Sequence, residues 1–454
     1  LCENLSMFYS SCFISWPKLM SQYSERIKMF KQRKIKVVFI CLLFLLSCAG
    51  PGLKISDKKE TVSVIPSTAK NSKTVVWEPV PRPVAKGNDA QLIVRTSESM
   101  NLLYAAHNEK GKQNLFMSKT KNIGDSFSNP IIVNSEKDEV SAHGENGPKL
   151  KQGKGRGIFA AWIGKRDIKF ARSMNFGKSF EPALRVNDDQ GKASQSFFAM
   201  DVSPNGKVFL SWLDGRDKKL GKPGTSSVYI ARSVNQGKSF EKNIKISGDV
   251  CPCCRVALAF GDNGEVFASW RHVYKDNERI MVVATSLDGG ETWGDPVKIT
   301  KAGWKINGCA HSGSTMKYVG GKLFISWYTG KDDKAALKLA YSTDQGKSFN
   351  LANDINGQVL DSNHPDMVEI GNEPWIIFQG RDPNKKGGWG RDKAWLVRID
   401  ENNNASKPAA LPSSSGNVAY PYLFKGNGGR LYATWSEIGE HDSSVMLCRG
   451  RINS

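Results

Sequence analysis

Ser233-Val-Asn-Gln-Gly-Lys-Ser-Phe240 is one of five stretches built to one plan: Ser or Thr, Asn or Asp two on, Gly four on, Ser or Thr six on, then an aromatic residue. The others are Thr120-Lys-Asn-Ile-Gly-Asp-Ser-Phe127, Ser173-Met-Asn-Phe-Gly-Lys-Ser-Phe180, Ser286-Leu-Asp-Gly-Gly-Glu-Thr-Trp293 and Ser342-Thr-Asp-Gln-Gly-Lys-Ser-Phe349. An Asx side chain bonds nearby backbone, Gly accepts a positive φ, and the aromatic ring pins the turn to a core, so each copy reads as a stiff hairpin turn. The copies start 53, 60, 53 and 56 residues apart, the period of a four-stranded propeller blade.

Upstream of each turn runs a short apolar segment ending in an aromatic residue. The copies are Ile158 to Trp162, Leu210 to Trp212, Phe267 to Trp270, Phe324 to Trp327, Trp375 to Phe378 and Leu431 to Trp435; Leu103 to His107 aligns with them. A second short strand follows each, as in Val228-Tyr-Ile-Ala-Arg232. These hairpins predict an all-β propeller of four-stranded blades over 73–454, with seven blades favoured and six as the alternative. The last hairpin lacks a fourth strand, and the extended, apolar Thr74-Val-Val-Trp-Glu-Pro-Val80 is expected to supply it and close the ring. A two-sheet sandwich gives no reason for a constant period.

The front of the chain reads as an export signal. Met29 to Lys36 is basic, Val37 to Leu46 is wholly apolar, and Ser47-Cys48-Ala49-Gly50 follows, a secretory pattern too short to span a bilayer. Residues 29–47 are therefore expected to be a signal peptide, with 1–28 an upstream mis-start and 48–72 a Lys-, Ser- and Thr-rich tether. Leu45-Leu-Ser-Cys48 resembles the lipobox of bacterial lipoproteins, which implies a lipid on Cys48. With Ala49 after it, the resemblance implies anchoring in the cell envelope, at the outer membrane.

The chain holds 64 basic and 44 acidic residues. Removing 1–47 leaves 57 against 42. An exported basic protein suits anionic partners, membrane surface or acidic glycan; Lys-rich turns kept for solubility explain the same excess. No nucleic-acid motif is present, and export argues against that partner. The oligomeric state is not legible.

In a propeller, the connections between blades enter the innermost strands and converge at one mouth of the axis. There the sequence places His143-Gly-Glu145, Cys251-Pro-Cys-Cys-Arg255, Cys309-Ala-His311, Asn363-His-Pro-Asp366 and Tyr420. The loops between second and third strands add Lys165-Arg-Asp167, Asp214-Gly-Arg-Asp217, Arg271-His272, Gly380-Arg-Asp382 and Glu437. Two readings of Cys251, Cys253, Cys254, Cys309, His311, His143, His272 and His364 stand open: a site for copper or zinc, or disulfides stitching neighbouring blades in an oxidising compartment. Glu145, Asp366 and Asp217 are candidate catalytic carboxyl groups for glycoside hydrolysis. Arg255, Arg271 and Arg381, with His143 and Glu145, are candidate ligand-binding residues for a carboxylate. Solvent-facing turn chemistry accounts equally for the Asp-Gly-Arg-Asp loops.

The five turns resemble the Asp-box, or BNR, repeats of the sialidase (neuraminidase) superfamily. Members of that fold use an arginine triad, a Tyr–Glu nucleophile pair and an Asp acid/base. The entry to the first blade here, Gly87-Asn-Asp-Ala-Gln-Leu-Ile-Val-Arg95, lacks their Arg-Ile-Pro motif, and the Tyr–Glu pair is not placed by sequence. A bacterial sialidase-like subgroup carries His-Gly-Glu, Cys-Pro-Cys-Cys-Arg, Trp-Arg-His and Gly-Cys-x-His-x-Gly; the same motifs stand here at 143–145, 251–255, 270–272 and 308–313. The leading expectation is thus an envelope-anchored propeller that binds a metal or an anionic glycan at its axial face. An exo-acting, sialidase-type glycosidase is the second expectation, and a protein-interaction scaffold the third.

Overall fold

A computed structural model of the protein describes residues 73–453 apart from 109, 136–139, 219–225, 384–389, 415 and 440–441. Cys48, the signal peptide and the tether lie outside the described residues. Strands dominate, with three single-turn 3-10 helices among the described residues. The protein is an all-β propeller, and most of its sheets carry four strands.

The marked hairpins form paired strands because their apolar runs are covered on both sides. Ile158–Gly164 and Val208–Asp214 are buried along their whole length, as strands sandwiched between neighbouring sheets must be. Trp162, Trp212, Trp270 and Trp435 are fully buried at equivalent points of their repeats. Each core is shared by two neighbours: Phe159, Ala161 and Phe170 pack with Phe198, Met200, Leu210 and Trp212.

The expectation of seven, or six, separate blades is corrected by the hydrogen bonding. Five sheets stand alone with four or five strands, and the remaining one has nine. In the nine-stranded sheet, Ile244–Val250 reaches past its own repeat and Val250 pairs with His272 of the next. Two successive repeats thereby merge into one continuous sheet. The innermost strands Asn88–Val94, Lys149–Gln152, Gln195–Val202, Ala257–Phe260, Thr315–Val319, Leu360–Ile370 and Asn417–Lys425 pack in order, and the last lies against the first. The N-terminal chain completes the final sheet: Thr74–Trp77 and then Arg82–Lys86 pair with Ser443–Asn453, Thr74 opposite Asn453.

The five turns share one hydrogen-bond pattern. In the third, Ser233 Oγ accepts from the Gly237 N–H at 2.9 Å, and Asn235 Oδ1 accepts from the Ser239 N–H at 3.0 Å. Gln236 and Gly237 take φ of 56° and 74°. Each turn also grips the repeat before it. The carbonyls of Ile123, Phe176, Gln236, Gly289 and Gln345 accept from Arg449, Asn101, Arg172, Arg232 and Thr285 respectively. Gly237 sits flat on Phe170, where an added Cβ would lie 2.4 Å from the ring.

Candidate active site at the axial mouth

Four innermost strands carry a β-bulge near their start with a residue of positive φ at it, Asp89 (53°), Phe197 (51°), His364 (50°) and Tyr420 (51°), and the strand of His364 holds a second, Asp361 (49°). A bulge leaves one residue unpaired and re-aims its side chain. Pro365 and Pro421 follow two of these residues, and proline, lacking an N–H, is tolerated in strands at such points. Non-glycine residues held at φ > 0 store strain and cluster at functional sites.

Glu145 lies at the centre. Its Oε1 is 2.7 Å from His364 Nδ1, and its Oε2 accepts from the Gly313 N–H at 3.1 Å and faces Arg255 Nε at 3.3 Å. Burial pushes this carboxyl up, but the Arg255 guanidinium, His364 and the Gly313 N–H outweigh it and hold the pKa at about 2. Glu145 is therefore ionised at neutral pH and accepts only, so His364 donates from Nδ1 and Nε2 is the ring nitrogen that Glu145 leaves unengaged. The Ser312 hydroxyl accepts from the His364 backbone N–H at 3.2 Å.

Tyr420 packs on His364, ring centroids 4.4 Å apart. Its hydroxyl rests on Gly144, where a Cβ would come within 2.4 Å of the oxygen. Gly144 also has φ of 55°, so glycine is required there twice over. Burial, with the charges of Glu145 and Asp89, raises the phenol to about 12 and keeps it protonated. Below lie two buried groups of opposite sign: burial lifts Asp89 to about 7 and lowers Lys149 to about 7. Asp89 and Lys149 were missed by sequence reasoning, which placed Tyr420 at this mouth without giving it a role. The shared aromatic-Pro pattern of His364-Pro365 and Tyr420-Pro421 was the available signal for Tyr420.

The axial channel has a cavity of about 320 Å³, whose lining includes Lys149, Lys151, Lys317, Lys425 and Arg255 against Asp201 and Asp366. A groove of about 640 Å³ opens beside Tyr420, lined by Asp361, Asn363, Gln379, Arg381, Asp392 and Asn417 among others. Arg381 pairs there with Asp361.

The remaining sequence candidates sort as follows. Asp366 is a channel-wall group, accepting from the Leu423 N–H at 3.1 Å and pushed up by burial. Asp217 stands away from Glu145, bonded to Tyr229 Oη and to Lys245 Nζ, both at 2.9 Å. Arg271 is fully buried and bonded to the carbonyls of Ser312 and Tyr328 at 3.3 and 2.7 Å. His143 is exposed at the rim, and His272 stacks on Tyr274 at the seam of the nine-stranded sheet. Cys251, Cys253, Cys254, Cys309 and His311 gather around Cys253, without His143, His272 or His364. Of the two readings left open for these cysteines, the disulfide one finds no bonded pair among the described residues.

These features define a β-propeller with a polar, partly buried cluster of ionisable groups on its axis. No family model matches the chain, and no curated protein matches it. Among solved structures it is similar to a polysaccharide lyase of the PL25 ulvan lyase family, bound to -[GlcA(1-4)Rha3S]-. That likeness has a TM-score of 0.54 and 9% identity over 82% of this chain and 95% of that one. It is also similar to the Trypanosoma rangeli sialidase in complex with sialic acid, with a TM-score of 0.45 and 15% identity over 79% of this chain and 58% of that one. At these identities the likeness is one of fold.

Proposed function

We propose that the axial mouth takes an anionic saccharide and cleaves it by acid–base chemistry, with His364 as base and Tyr420 as proton donor. The observation that carries this reading is the 2.7 Å contact between His364 Nδ1 and the buried Glu145. It orients one imidazole against a phenol that stays protonated, a matched base and acid. The reaction that best suits the pair is β-elimination from a uronate. His364 Nε2 takes the proton α to the sugar carboxylate and the bond to the leaving oxygen breaks. That oxygen takes the Tyr420 proton, and the ring is left unsaturated. Arg381, lining the groove beside Tyr420, is the group assigned to the sugar carboxylate. The basic channel favours the same sign of ligand.

Hydrolysis by paired carboxyl groups is less well supported, because Glu145 is buried under its partners and Asp217 stands apart. A uronate-containing ligand on a propeller of similar fold is consistent with the proposal. Export and lipid anchoring through Cys48 would set the site in the cell envelope, facing external glycan.

The test is ultraviolet detection of unsaturated products from polyuronates, beside assays for sialic acid and reducing ends. The expected result is unsaturated product, lowered about 10²- to 10⁴-fold in His364→Ala and in Tyr420→Phe. Sugar release without unsaturation would move the assignment to hydrolysis. Full activity in folded His364→Ala would overturn it.

A further inference from the structure

A second group of reactive side chains is built independently of Glu145 and His364. In the link between the two halves of the nine-stranded sheet, Cys251 Sγ lies 3.5 Å from Cys253 Sγ and 3.7 Å from Cys254 Sγ. The connection from the next repeat brings Cys309 and His311, both exposed, to Cys253, and the ligand atoms of these three lie within 4.8 Å of one another. Cys253 is thus the corner shared by a buried triad and a solvent-facing one.

The spacing decides between the two readings of these cysteines. A disulfide needs sulfurs about 2.05 Å apart. Thiolates about 2.3 Å from one tetrahedral ion stand roughly 3.8 Å from each other. The separations within the buried triad fit the second, and the donor atoms of Cys253, Cys309 and His311, all within 4.8 Å of one another, are near enough to share an ion. Buried thiolates also need positive charge near them, and Arg279 Nη1 donates to Cys251 Sγ at 3.0 Å while Arg271 lies beside Cys254. His311 is held at φ of 47°, a strained backbone that a ligating side chain would justify.

We propose that Cys253, Cys309 and His311 hold one thiophilic metal ion, zinc(II) or copper(I), with one thiol of the adjoining pair, Cys251 or Cys254, as the fourth ligand. Sulfur with one imidazole suits both ions and disfavours magnesium or calcium. The ion clamps the loop at 306–311 onto the loop at 251–255. Those two loops lead directly into Gly313 and Arg255, which contact Glu145, so the metal fixes the frame of the acid–base site without touching it.

The full chain, purified untagged under reducing conditions, is stripped with chelator and titrated anaerobically with zinc(II) or with copper(I). Bound metal is then counted by mass spectrometry. One of the two ions is expected to be retained at one per chain, and to be lost in Cys253→Ser and in His311→Ala. Cys448→Ser should retain it, since that thiol lies in a different core. His311 is exposed, so its variant keeps the test readable if Cys253→Ser misfolds. Cobalt(II) in place of zinc should give thiolate charge-transfer absorbance in the parent and none in either loss variant. Failure to retain either ion, retention in folded His311→Ala, or a disulfide found among the four cysteines by peptide mapping would overturn the proposal. None of these readouts depends on glycan cleavage.

Discussion

Glu145 shows how one side chain can be both anchor and liability. Its carboxylate is buried and satisfied by Arg255, His364 and the Gly313 N–H. Removing one member of a buried charged set leaves the others uncompensated, at a cost of about 3–5 kcal/mol. Because the folded pKa is depressed to about 2, the ionised form stabilises the fold above the ordinary glutamate range, and that contribution disappears as pH falls through about 2. Urea unfolding should therefore show Glu145→Gln weaker than the parent by several kcal/mol at pH 7, with the gap shrinking below about pH 4. A gap that stays constant down to pH 2.5 would contradict this account. The presence of Glu145, His364 and Arg255 at one mouth was legible from loop topology alone. Their pairing was not, because it depends on bulges that turn His364 and Tyr420 inward. The same blindness hid Asp89 and Lys149, which look like ordinary strand residues until a closed ring buries them.

The turns, as elements, do more than reverse the chain. Each offers one carbonyl and one glycine to the repeat before it, so the repeated signature is also a latch between repeats. Two glycines separate these roles. Gly237 and Gly264 both have positive φ, but a Cβ at Gly237 meets Phe170 whereas one at Gly264 meets nothing within 4 Å. Gly264→Ala should cost about 1 kcal/mol, from backbone strain alone. Gly237→Ala should cost roughly 2–4 kcal/mol, because overpacking adds to it. Thermal unfolding of the two variants checks the difference, and equal shifts would remove the latch. The turn itself was readable from sequence, since Ser, Asx and Gly are local chemistry. Its partner on the neighbouring repeat was not, because Arg232 and Thr285 carry no mark of what they will touch.

At the scale of the molecule, closure is made by strands from opposite ends of the chain. Thr74–Trp77 lies on Ser443–Asn453, with Val75 and Trp77 packed against a core that includes Met446 and Cys448. Arg449 reinforces the seam through Glu78 and Asp125. A chain beginning at residue 80 should lose on the order of 3 kcal/mol from those two side chains and unfold less cooperatively, as calorimetry would show; an unchanged transition would mean the ring closes without them. That a strand near residue 74 completes the last sheet could be inferred from the missing fourth strand. The number of independent sheets could not, because the fusion rests on a single pair, Val250 with His272. The seam also gives the molecule a front and a back. Asn453 and Thr74 sit side by side at the end of the sheet where Arg451 faces Arg430, whereas Tyr420 opens the same sheet at its other end. The chain at either end of this seam therefore sits at the end of the sheet opposite Tyr420.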